Sequence, residues 1–155
     1  MPHVGRRCYY AVVPRLFFET DPPLVSPPEF SGPSDVLVYF LSLAFSTRYG
    51  SLHPLSQLAL LLRRDRKIDL APLTTFADRD VEVEADQVEL DRVWQDAAPL
   101  AATLRAVVDA LASGDDEIAE LSADAPDLGA RLDDLRRMAE QATAAGARVR
   151  LSFEL

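Results

Sequence analysis

One cysteine, Cys8, stands alone in 155 residues, so no disulfide can form within the chain. That suits a reducing compartment, and a cytoplasmic location is expected. Cys8 lies in the apolar run Cys8, Tyr9, Tyr10, Ala11, Val12, Val13, where a buried and inert thiol is expected rather than a nucleophile. Histidine is nearly as scarce. His3 and His53 are the only two, no pair of them has zinc-ligand spacing, and Cys8 adds at most one soft donor, so neither metal nor cofactor is expected. A hydrolase built on His53 would need Ser51 or Ser56 as nucleophile and an orienting carboxylate, and no G-x-S-x-G elbow accompanies them. His53 directly before Pro54 reads instead as the cap of a helix. The six glycines form no loop that would cradle phosphates.

Long apolar runs are also missing. The most apolar stretch, 36–62, begins with a run that lasts only from 36 to 45, and Arg48, Gly50, His53 and Pro54 then interrupt it. A membrane-spanning helix needs about 20 apolar residues in a row, so two buried elements joined by a turn are expected and no membrane partner. The start of the chain is not expected to be a signal peptide. Pro14, Arg15 and Glu19 break the apolar stretch after Arg6 and Arg7, and no small-residue cleavage site follows. Lysine is almost absent: Lys67 is the only one among 16 basic residues. Arginine bias with abundant alanine points to a GC-rich bacterial genome.

Positive charge is short where negative charge is plentiful. The net charge is −9, and residues 1–77 contribute +2 of it against −11 from residues 78–155. An acidic half repels nucleic-acid phosphates and attracts a basic partner. Solubility alone would also account for it. The aromatics Tyr9, Tyr10, Tyr39, Phe40 and Phe45 sit inside apolar runs and do not interleave with a basic patch, so core packing is expected of them rather than single-stranded nucleic-acid binding.

What remains describes a helical domain with a few strands. The length suits one domain with a sizeable core, and 1–155 is read as a single globular unit. A strand is expected within 3–13. Pro22, Pro23, Pro27, Pro28 and Pro33, with Gly32, make 20–34 an irregular connector, and Leu24, Val25 and Phe30 suggest that it lies over the core. Segment 36–49 is apolar all round and reads as a buried helix capped by Ser34 or Asp35, although Val36, Val38, Tyr39 and Phe40 would also suit a strand. A second helix starts at Pro54 with Leu55, Leu58, Ala59, Leu61 and Leu62 on one face. Arg63, Arg64, Arg66 and Lys67 follow at its end, where cations complement the helix dipole; they are also the candidate anion site.

From Asp80 to Asp86, acidic and apolar residues alternate strictly, which predicts a strand with Val81, Val83 and Ala85 inward and four carboxylates outward. The acids at 78, 80, 82, 84, 86 and 89 also match the ligand offsets of an EF-hand loop. The sixth position is Val83, where the turn requires glycine, so the strand is preferred to calcium. Asp86 with Glu89 then opens a helical phase through Leu90, Trp94, Ala97, Ala101, Leu104, Val108 and Leu111, kinked or divided at Pro99. A short helix is expected at 115–121, and a longer one carries Leu128, Leu132, Leu135, Ala139 and Ala142 and stops at Gly146. Residues 147–155 alternate as a half-buried strand, with Arg148 and Arg150 outward.

The fold class is therefore α+β: a small mixed or antiparallel sheet of N-terminal, acidic middle and C-terminal strands, packed with four to five helices. The acidic strand should lie beside the C-terminal one, placing Glu82 or Glu84 near Arg148 or Arg150. For function, the expectation is a non-catalytic bacterial protein of inhibitor, immunity or adaptor type that binds a basic protein through Glu82, Glu84 and Asp86, with self-association left open. The alternative is a small-molecule-binding protein or small enzyme with its site near His53 and the Arg63 to Lys67 cluster. A deep pocket joining His53 to an acid would favour the alternative, and a flat acidic face would favour partner binding.

Overall fold

The computed structural model describes residues 13–46 and 52–155, and shows an α+β fold of six helices and one open, mixed four-stranded sheet among them. The elements run β1 (Arg15–Asp21), α1 (Asp35–Phe45), α2 (Pro54–Arg64), β2 (Phe76–Asp78), α3 (Glu84–Arg92), β3 (Trp94–Asp96), α4 (Ala97–Leu111), α5 (Asp116–Leu121), α6 (Leu128–Ala144) and β4 (Arg148–Glu154). The strand expected within 3–13, with His3, Cys8, Tyr9 and Tyr10, falls almost wholly outside the described residues, as do Arg48, Tyr49, Gly50 and Ser51. Val13 is exposed and lies before β1, the first strand among the described residues, which starts after Pro14.

The last strand is the central one. β1 runs antiparallel to β4 along its whole length, with Glu19 opposite Arg150 and Phe17 opposite Ser152. The other edge of β4 is shared: β3 pairs antiparallel with Arg148, Val149 and Arg150, and β2 pairs parallel with Leu151, Ser152 and Phe153. Alternation sends Leu16, Val149 and Leu151 inward, and all three are buried in the core. Gly146, at φ 67°, turns the chain from α6 into β4.

The helices supply most of the core. α4 and α6 pack along each other, and α1 packs on α2, on α6 and on β1. Leu58, Leu62, Leu104, Leu132 and Leu135 are fully buried in one cluster, as their helical phases require, and Val108 is half-buried beside them. No helix among the described residues is long and apolar enough to cross a membrane.

Several local readings are corrected. The acidic run 80–86 is not a strand. The middle strand is Phe76–Asp78, just ahead of it, and the run itself is a loop followed by the first turn of α3. The Asp86 carboxylate accepts the backbone N–H groups of Glu82 and Val83 at 3.0 and 3.1 Å, and acids in a first turn gain from the helix dipole. A strand would instead have lined four like charges along one face. The long phase from Leu90 to Leu111 does divide, but at Trp94–Asp96 rather than at Pro99. Pro99 is the third residue of α4, where the missing N–H has no helical partner to lose. Trp94 leaves the helix because pairing with β4 places its ring under the Arg150 guanidinium, 4.6 Å from the centroid.

α1 is helical as expected, yet it is not buried all round: Tyr39 and Phe45 are 49% and 59% exposed. The proline-rich connector is tied mainly at its C-terminal end, beyond a local hydrogen bond from the Leu24 N–H to the Thr20 hydroxyl at 3.2 Å. Phe30 packs on the core, the Ser34 hydroxyl accepts the Leu16 N–H at 3.0 Å, and Ser31 donates its N–H and O–H to Asp134 at 3.0 and 2.8 Å. A Cβ at Gly32 would stand 2.1 Å from the Arg131 guanidinium, which would have to shift. Val25 lies fully in solvent.

Candidate protein-binding edge

The C-terminal end of α1, β2 and the end of β4 meet at one edge of the molecule. Their aromatics form a ladder. Phe45 packs edge-on against Phe76, with centroids 6.0 Å apart, and Phe76 packs edge-on against Phe153 at 5.6 Å. Phe76 and Phe153 are tied to the core, whereas Phe45 projects from the helix end. Arg63 holds that end, since its guanidinium donates to the Ala44 carbonyl at 2.9 Å.

Carboxylates surround the ladder. Asp78, Asp80, Asp86 and Glu89 line a shallow depression of about 340 Å³ with the three phenylalanines. The loop beyond it exposes Val81 and Val83, with Glu82 and Glu84 beside them. The acids differ in occupation. Asp86 caps the loop, Asp78 accepts the Asp80 N–H at 2.8 Å, and Glu89 pairs with Arg92 at 2.9 Å. The carboxylates of Asp80, Glu82 and Glu84 make no ion pair or hydrogen bond among the described residues. Among the described residues no basic side chain lines the depression. Such an edge offers an apolar anchor site inside a negative field, which suits a cationic, partly apolar ligand.

The predicted charge pairing is present on the sheet with other carboxylates. Arg150 pairs with Glu19 across the strand at 2.9 Å and approaches Asp91 at 3.7 Å, and Arg148 approaches Asp96 at 4.0 Å. Neither Glu82 nor Glu84 reaches them. The rule that opposite charges face each other across a sheet held, but the partner strand was β1. Arg79 lies 3.9 Å over the Phe17 ring and adds a second cation to Glu19 at 3.2 Å. Together these groups cover Ser152, which is fully buried although it faces outward. Burial alone would push the Glu19 carboxyl up. Its hydrogen bond and charge contact with Arg150, the Arg79 charge and the Ser152 hydroxyl hold it below the usual range instead.

The candidate anion site is divided. Arg66 turns to Ser113 and Asp115, at 3.0 and 3.2 Å, where it braces the start of α5, while Arg63 holds α1. Lys67 takes a left-handed backbone, φ 56°, as the chain leaves α2, and Arg64 is exposed. Successive residues on a helix point in different directions, so sequence adjacency did not become convergence. His53 caps α2 as the sequence implies, its Nδ1 accepting the Leu55 N–H at 3.1 Å. It borders a half-open groove that also holds Asp35, Asp124 and Asp127, and none of the four basic residues lines that groove. Ser56 is buried on the core side of α2. Among the described residues no group of three or more acids, histidines or cysteines converges as a metal site.

In comparisons with protein-family models, curated proteins and solved structures, none matches this chain.

Proposed function

We propose that the chain acts by binding another protein rather than by catalysis, and that the partner presents a basic segment with an apolar side chain to the Phe45, Phe76, Phe153 edge. The observation that carries this reading is the half-exposed Phe45 on a carboxylate-lined depression, with Asp80, Glu82 and Glu84 making no ion pair among the described residues. Interfaces concentrate their energy in aromatic anchors, and complementary charge around them raises the association rate. Glu82, Glu84 and Asp86 keep a role in this reading: the first two steer the partner, and the third holds the loop that presents them. A bacterial inhibitor, immunity or adaptor protein of the cytoplasm would have these properties. The groove beside His53 favours the second reading, a small-molecule site, in a form without the basic cluster.

The test is affinity capture from bacterial lysate with the wild-type chain, Phe45→Ala, and the double variant Glu82→Lys/Glu84→Lys, followed by mass spectrometry. The expected result is a basic protein that wild type retains at low salt, that rising salt releases, and that both variants lose. A partner held equally by all three chains, or an acidic one, would overturn the proposal.

A further inference from the structure

The groove beside His53 encloses about 640 Å³, within the range of sites that take small organic ligands. It lies where three helices begin. Asp35 and Val36 come from the first turn of α1, Pro54 and Leu55 from the first turn of α2, and Asp127 precedes α6. Its walls are mainly apolar, with Leu43 and Leu121 completing them, and Tyr39 stands half-exposed at its side.

Two opposite fields meet there. Each helix start carries roughly half a positive charge, about 1.5 charges in all. Against this stand the full charges of Asp35, Asp124 and Asp127, none of which makes an ion pair or a side-chain hydrogen bond among the described residues. Among the described residues no arginine or lysine lines the groove. His53 turns its Nδ1 to the backbone, where it accepts the Leu55 N–H at 3.1 Å. The carboxylates therefore outweigh the helix ends, and the groove is negative over an apolar floor. The helix ends explain how the acids are tolerated when nothing is bound, but they do not neutralise them.

We propose that this groove binds an organic cation with an apolar body, an amine whose ammonium rests on the carboxylate rim and whose hydrocarbon or aromatic part packs on Val36, Leu43, Leu55 and Leu121. The Tyr39 ring offers a further face for the cation. This site is separate from the Phe45 edge and does not depend on the protein partner proposed there.

Three indole ligands of nearly equal shape test the charge argument: tryptamine is cationic, tryptophol neutral and indole-3-acetate anionic. Each would be titrated into the full chain and followed by 1H–15N NMR. Tryptamine should shift amides at the starts of α1 and α2 and at 124–127, and bind about ten-fold more tightly than tryptophol, with indole-3-acetate weakest. The double variant Asp124→Asn/Asp127→Asn changes two exposed side chains and should narrow the preference for tryptamine to within about two-fold. Glu82→Lys/Glu84→Lys should leave it unchanged. Equal binding of tryptophol, tighter binding of indole-3-acetate, no groove shifts at millimolar tryptamine, or a cation preference that survives Asp124→Asn/Asp127→Asn would overturn the proposal.

Discussion

Glu19 and Asp134 are each ringed by cations and hydrogen-bond donors, whereas the carboxylates of Asp80, Glu82 and Glu84 make no ion pair or hydrogen bond among the described residues. Asp134 is almost wholly buried, accepts two hydrogen bonds from Ser31, and contacts both Arg131 and Arg137. Burial alone would raise its pKa. The Ser31 and Arg137 hydrogen bonds and the Arg131 charge hold it below its usual range. Glu140 and Asp115 are occupied in the same way. Arg105 and then Arg136 keep the first low, and the Ile118 N–H and then Arg66 keep the second low. The 80–84 loop has none of this. The difference separates carboxylates that hold the fold from carboxylates that it leaves without partners among the described residues, and of the latter Asp80 lines the depression that holds the exposed Phe45.

Substitution should expose the contrast, most strongly at Asp134. Asp134→Ala leaves Arg131 buried without its counter-charge and strands the Ser31 N–H, so chemical denaturation should show a loss of about 3–5 kcal/mol. Leu104→Ala in the dry core should cost about 2–5 kcal/mol by the same measurement, with no dependence on salt. Glu19→Gln should cost less, about 1–2 kcal/mol, because Glu19 and its arginines are partly solvated. Glu82→Lys/Glu84→Lys should move stability by no more than about 0.5 kcal/mol. A large destabilisation by that double variant would mean that these acids hold the fold after all.

Acid should act through the occupied carboxylates. Glu19, Asp134, Asp115 and Glu140 all have native pKa values below their ordinary ones. Their contribution is therefore complete above the ordinary carboxylate range and disappears as pH falls through the lowered native values. Denaturation midpoints measured from neutral pH downward should fall steeply in that window, and Glu19→Gln should flatten the fall. The loop variants should follow the wild-type curve.

Much of this molecule was legible from periodicity. Leu58, Leu62, Leu104, Leu132 and Leu135 follow helical spacing and are buried, and the alternation of Arg148 to Glu154 gave a true strand. The acidic run misled because strict alternation is compatible with a strand, while a carboxylate capping two N–H groups at a helix start is a local tertiary choice. β3 was hidden for a similar reason: Trp94 keeps the phase of the flanking helices, and only pairing with β4 draws it out. The site was half visible. Excess acid between 78 and 91 can be counted, but the exposure of Phe45 depends on which face of α1 the helices and β1 cover. An apolar aromatic at the end of a helix followed by polar residues was the available signal.

The central claim is that the free acids serve a partner and not the fold. Its most direct test is the association rate of the captured partner, measured by stopped flow across ionic strength for wild type and for Glu82→Lys/Glu84→Lys at matched folding stability. The rate should fall as salt is raised and should fall further on charge reversal, since exposed charges are screened beyond about 8–10 Å at physiological salt. An association rate indifferent to both salt and charge reversal would contradict the account.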